Sequence, residues 1–92
     1  MYLEIVSPEA TLFSGEVDAV AVPGVNGEFQ MLNNHAAIVS SLKEGFIKIS
    51  GAVTLNADVE DNFSKGENNT TLLKINSGTV EMKDNKVIVL AD

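Results

Sequence analysis

Residues 23–45 read PGVNGEFQMLNNHAAIVSSLKEG, and the remainder of the chain is arranged around this stretch. Pro23-Gly24 and Asn26-Gly27 are turn signals, because proline presets φ for one turn position and glycine takes φ > 0 at no steric cost. With only Val25 between them, the chain is expected to reverse sharply and return as Glu28-Phe29-Gln30-Met31-Leu32. Asn33-Asn34 turns it again, and His35 to Leu42 runs back as a mostly small, apolar segment. Leu32, Ala36 and Val39 have helical spacing, so residues 32–42 fit a helix on pattern alone. The β-branched Ile38 and Val39 favour a strand, which is the reading adopted.

Working outward, Leu3 and Ile5 alternate with Tyr2, Glu4 and Val6 as a strand with one face more buried, ended by Ser7-Pro8. Thr11 to Ser14 is a short second strand, broken at Ser14-Gly15. Glu16 to Val22 becomes apolar on both faces in its second half and belongs in the middle of a sheet or between two. Gly45 to Ser50 alternates with Ile47 and Ile49 inward and Lys48 outward, and Gly51 to Leu55 is expected to continue as strand or hairpin. Residues 56–70 (NADVEDNFSKGENNT) are polar and read as a long loop or a flexible hairpin within a single domain, 1–92. Strands resume at Thr71–Ile75, Thr79–Lys83 and Lys86–Leu90, with turns at Asn76-Ser77-Gly78 and Asp84-Asn85. About ten short strands separated by Gly, Pro, Asn and Ser indicate an all-β fold, an antiparallel β-sandwich or flattened barrel.

Ninety-two residues fit one domain, and a chain of this size buries roughly 60–70% of its unfolded surface. An apolar fraction of 45% with 21% charged residues is ordinary for a globular chain. Cysteine is absent, which excludes disulfides and Cys-based zinc sites, so packing alone must hold the fold. Met1 leads into an alternating strand rather than a basic and then apolar leader, and no apolar run approaches the roughly 20 residues of a span. The expectation is a soluble intracellular chain. A net charge of −7 opposes nucleic acid and direct insertion into anionic lipid, and favours basic partners; it also simply maintains solubility.

No catalytic set emerges. Gly24-Val25-Asn26-Gly27 lacks the lysine and helix start of a phosphate loop, and Glu28 would repel phosphate. Asp58, Glu60 and Asn62 have the odd spacing of a calcium loop, but Phe63 stands where glycine is required. Asn62-Phe63-Ser64 and Asn69-Thr70-Thr71 match the glycosylation acceptor only by accident in a chain without a secretion signal. His35, the sole histidine, has no nucleophile motif beside it; it is either a hydrogen-bonded residue at a strand start or an interface residue. No cofactor or metal is expected.

The pattern Val-Pro-Gly-x-x-Gly-Glu-Phe-x-x-Leu-x-x-His-Ala (residues 22–36), followed by Leu42-x-x-Gly45-x-Ile47-x-Ile49, resembles the epsilon subunit of the rotary proton-translocating ATP synthase. Glu4-Ile5-Val6-Ser7-Pro8-Glu9 with Phe13-Ser14-Gly15, and Ser77-Gly78-Thr79-Val80-Glu81 with Val87 to Asp92, continue the match over residues 1–50 and 72–92. The resemblance implies the N-terminal β-sandwich of a non-catalytic rotor subunit, with residues 32–42 as strand. It implies partners too: Ser7, His35, Ala36 and Ser40 facing the gamma shaft, and Asn26, Gly27 and Glu28 facing the membrane rotor ring, with Glu28 as the charged partner of basic ring loops. The implied location is peripheral, on the cytoplasmic face of the bacterial inner membrane.

Many members continue into a two-helix C-terminal domain that restrains hydrolysis and in some cases binds ATP. This sequence stops at Asp92 after the last strand, so no C-terminal helical domain and no nucleotide binding are expected. The 56–70 piece has no counterpart in the recognised pattern and reads as an insertion. Two other functions stay open at this point: a stand-alone acidic protein-binding module on the same sandwich, and a small hydrolase, which would require a pocket uniting His35 with an acid and a hydroxyl.

Overall fold

The computed structural model describes residues 1–92, which form ten strands: β1 (Tyr2–Val6), β2 (Thr11–Glu16), β3 (Ala19–Gly24), β4 (Gly27–Leu32), β5 (Ile38–Leu42), β6 (Gly45–Ser50), β7 (Phe63–Lys65), β8 (Thr70–Ile75), β9 (Gly78–Lys83) and β10 (Lys86–Ala91). The only helical element is a 3-10 turn at Glu60–Asn62. Hydrogen-bonded neighbours run β2-β1-β10-β9-β5-β3-β6-β8-β7, with β4 beside β3. This is one curled sheet folded over its own core, an all-β sandwich. β1 and β10 pair in parallel, which brings both ends of the chain into the middle of one layer; the other ladders are antiparallel.

Period-2 alternation decides which side chains meet inside. Leu3 and Ile5 of β1, Val87 and Val89 of β10, Val80 and Met82 of β9, and Ile47 and Ile49 of β6 all belong to one buried cluster, with Val20, Val22 and Met31 closing it from the β3–β4 hairpin. Full burial of each such side chain stabilises the fold by about 1.5–3 kcal/mol. β3 is buried on both faces, as its composition indicates. It pairs with β4 along its whole length, with β6 through Ala19–Ala21, and with β5 at Gly24↔Leu42.

β5 and β6 together behave as one long strand with a corner at Lys43-Glu44, since both lie antiparallel on the same β3. The corner is made possible by a row of small residues. Leu42 is opposite Gly24 on one side and Gly78 on the other, and Gly78 is in turn opposite Ala91. A Cβ at Gly24 would stand 2.8 Å from the Gly27 carbonyl oxygen, and one at Gly78 would overlap the Leu90 carbonyl oxygen. Glycine at a sharp sheet bend lets backbones approach in this way. Pro23 falls in the gap between the two β3 ladders, where no donor is required of it, and its carbonyl accepts from Lys43 N–H at 2.8 Å.

Several local expectations are corrected. Pro23-Gly24 is strand rather than turn, and the reversal is made by Val25-Asn26 alone. Gly15 does not break β2, which runs on to Glu16. His35–Ala37 is irregular, and β5 pairs with β9 instead of running back along β4. The helical alternative for 32–42 does not form. Residues 52–56 are not in a ladder. Within 56–70 the chain makes the 3-10 turn and then β7, which pairs with β8 through Phe63↔Leu73. Asn68 and Asn69 take positive φ (54° and 61°) to close that hairpin, a conformation asparagine tolerates better than most residues.

Candidate interaction surfaces

The β3–β4 tip carries the first group of sequence-selected residues. Gly24 and Gly27 face each other across Val25-Asn26, and Gly27 holds φ at 127°, a value that L side chains rarely adopt. Val25 and Asn26 are thereby held out in solvent. Glu28, the first outward side chain of β4, is not free: its Oε1 lies 3.0 Å from Lys48 Nζ of β6, with both side chains about half exposed (51% and 45%). The acid therefore meets any partner with a lysine already beside it. Replacing Glu28 by Gln is expected to change the domain's own stability by less than about 1 kcal/mol, since exposed pairs contribute little; urea unfolding of Glu28→Gln, Lys48→Gln and the double variant checks this.

The second group is spread along the molecule. Asn33 Oδ1 accepts from the Met1 amino nitrogen at 2.6 Å, and Asn34 N–H donates to Asn85 Oδ1 at 2.8 Å. These bonds tie the end of β4 to the start of β1 and to the β9–β10 turn. His35 follows immediately, exposed, with Nδ1 2.7 Å from the Ala36 carbonyl oxygen. Ala36 is exposed too. Ser40 lies on the inner side of β5 opposite Val80, half-buried, its Oγ–H donating to Ser41 O at 3.1 Å. Ser7 closes a tight turn with Ala10, their backbone N–H groups and carbonyls exchanged at 2.8 and 3.3 Å.

These positions do not form one compact patch. His35 sits near Asn85, ahead of the Tyr2↔Lys86 pair, whereas Ser7 follows Val6↔Leu90 at the far end of the same ladder. Five residues of strand separate the two ends, roughly 16 Å. Between them runs a surface that sequence reading missed. In register on the outward side are Val39, Glu81, Ile88 and Glu4, and beside them Ser41, Thr79, Leu90 and Val6. Val39 is 73% exposed and Leu90 53%. The signal was present in Val87-Ile88-Val89-Leu90: a strand apolar on both faces is one whose second face is built to be covered.

No three His, Cys, Asp or Glu side chains are grouped closely enough to hold a metal ion. The ion pairs are Met1 amino–Glu16, Lys48–Glu28 and Lys74–Glu44, and none includes His35. No side-chain polar atom is buried without a partner.

What the chain forms, then, is an all-β sandwich with a charged hairpin tip at one place and an apolar outward sheet face at another. Residues 1–92 match the model of the ATP synthase delta/epsilon chain β-sandwich domain, and the chain belongs to that family. It is 38% identical over 92 residues to the ATP synthase epsilon chain of Campylobacter curvus, covering 100% of this chain and 60% of that one. The ATP synthase epsilon chain of Chlorobaculum tepidum is 37% identical over 90 residues, covering 98% of this chain and 86% of that one. The chain thus spans about 60% of the length of the Campylobacter relatives that it matches. The fold also recurs in chains of two cryo-EM structures. One is the central stalk/c-ring of the Tetrahymena thermophila mitochondrial ATP synthase (TM-score 0.69, 15% identity, 99% of this chain and 62% of that one). The other is the OSCP/F1/c-ring assembly of the Euglena gracilis mitochondrial enzyme (TM-score 0.72, 16% identity, 97% and 48%).

Proposed function

We propose that this chain is a non-catalytic rotor subunit of a proton-translocating ATP synthase, joining the gamma shaft to the membrane rotor ring. The observation that carries this reading is the family match over every residue, 1–92, with 37–38% identity to ATP synthase epsilon chains. In this reading the domain transmits torque, which calls for a stiff body with two adhesive surfaces; a close-packed interior deforms little under load. The shaft side comprises Ser7, His35 and Ala36, with the exposed Val39 and Leu90 supplying the apolar area between them; Ser40, on the inner side of β5, takes part through its place on that strand and not through its side chain. The ring side is the hairpin tip, Asn26, Gly27 and Glu28, where contact is polar and weakened by salt. The chain is peripheral, on the cytoplasmic face of a bacterial inner membrane.

Co-purification tests the assignment. The chain is expected to come down with the gamma subunit, and failure to do so overturns the reading. For the ring side, Glu28→Lys is a poor probe because it also sets two lysines side by side, so Glu28→Gln is the better variant. It should weaken attachment to the ring several-fold at low salt and flatten the salt dependence, while Lys48→Gln, which frees the acid, should not weaken it. Unchanged affinity and salt dependence in Glu28→Gln would remove the tip from the interface.

A further inference from the structure

The strand order leaves one flank of the sandwich without hydrogen bonds. β2 pairs only with β1, and β7 only with β8, so the two ends of the nine-strand path each present a free edge, in addition to that of β4, which pairs only with β3. Residues 52–56 lie at this flank. They alternate as a strand would, with Val53 and Leu55 half-buried against the core and Ala52, Thr54 and Asn56 exposed. Yet Ala52 to Leu55 make no backbone hydrogen bond to the rest of the protein. Between this segment and the free edge of β2 lies a gap of about 220 Å³, lined by Thr11, Leu12, Phe13, Ser14, Thr54 and Asn56. A second groove of about 270 Å³ on its other side is lined by Leu55, Phe63 and Thr71 among others.

Both ends of the segment are built to pivot. Gly51 holds φ at 120° and is tethered by its N–H to Asn69 O at 3.4 Å. At the other end Asn56 closes a local turn, accepting Asp58 N–H on Oδ1 at 2.8 Å and Val59 N–H on its carbonyl at 3.0 Å. The Asn56 bonds are local and the Gly51 bond fixes only the near end to the β7–β8 turn; none fastens the segment to β2. β8, by contrast, is bonded to β6 on one side and β7 on the other. Segments with few buried apolar contacts and no ladder open at low free energy, ahead of global unfolding.

We propose that residues 52–57, between the Gly51 tether and the Asn56 turn, are a strap that opens and closes independently of the sandwich, held shut by Val53 and Leu55 alone. When it lifts, it uncovers the Leu12–Phe13 and Phe63 side of the core without breaking any sheet ladder.

Because the chain contains no cysteine, a single introduced thiol reports on one position. In Val53→Cys, labelling by a thiol reagent should be at least about 100-fold faster than in Val80→Cys, and its rate should hardly change with low concentrations of urea. Val80 is 1% exposed in β9, so its labelling reports global opening. Limited proteolysis of the wild-type chain needs no variant: cleavage should fall first within 51–59, at a rate insensitive to low urea, and the two fragments should remain associated as a folded sandwich. Labelling of both cysteines with the same rate and urea dependence, or a first cleavage that occurs only with global unfolding, would overturn the proposal.

Discussion

Gly78→Ala is expected to destabilise the domain by about 2–4 kcal/mol, more than most single methyl additions, because the new Cβ meets backbone rather than a movable side chain. It would overlap the carbonyl oxygen of Leu90, with Ala91 Cα and the Leu90 carbonyl carbon at 3.3 Å. Gly78 is bracketed by β10 on one side and β5 on the other, so neither neighbour can retreat without opening a ladder. For a domain of this size each kcal/mol corresponds to roughly 4–8 °C in melting temperature, and a drop of about 10 °C or more should be seen by circular dichroism. Gly66→Ala is the control, since its added methyl would meet only the Leu72 side chain at 3.3 Å. Equal melting of the two variants would show that the corner does not depend on a glycine at 78.

Leu42→Ala should cost about 2–5 kcal/mol by loss of a buried aliphatic side chain and the cavity left behind. Leu42 is 3% exposed and stands where β5 touches both β9 and β3. The space beside the glycines opposite it is taken by other groups, the Phe29 ring at Gly24 and the Leu90–Ala91 backbone at Gly78, so Leu42 packs into the core rather than over the glycines. Leu42→Met, which keeps the volume, should cost less than about 1.5 kcal/mol. Combining Leu42→Ala with Gly78→Ala should leave the cost of Gly78→Ala largely intact, because the new methyl meets the Leu90 backbone of β10, which truncating Leu42 on β5 does not move. Chemical denaturation of the three variants measures this, and a loss below about 1 kcal/mol for Leu42→Ala would show that the corner is held elsewhere. Under the proposed rotor role, loosening β5 should also weaken the shaft side before the ring side, since Ser40 and Val39 ride on that strand.

The two groups of candidate residues differ in how far local sequence could place them. The tip is a matter of a few adjacent residues, and Gly24, Asn26 and Gly27 define it with no help from the rest of the chain. What was invisible there is Lys48, which reaches Glu28 from twenty residues further on. The separation of Ser7 from His35 was equally invisible, because it depends on β1 lying parallel to β10 rather than on anything near either residue. Val39 and Leu90 could have been noticed as apolar side chains out of phase with their buried neighbours.

By itself the sequence determined that this is an all-β chain of short strands, which side of most strands points inward, and where most reversals fall. Those properties follow from backbone sterics at Gly, Pro and Asn and from the period of two, both of which act over a few residues. Only the tertiary structure decided which strands are neighbours: β5 on β9, Phe63 in a strand on β8, Pro23 inside a strand instead of at a turn, and residues 52–56 against the core with no ladder. Alternation tells a strand which face to bury but not whose edge to join, and that choice is made by the packing of the whole core at once.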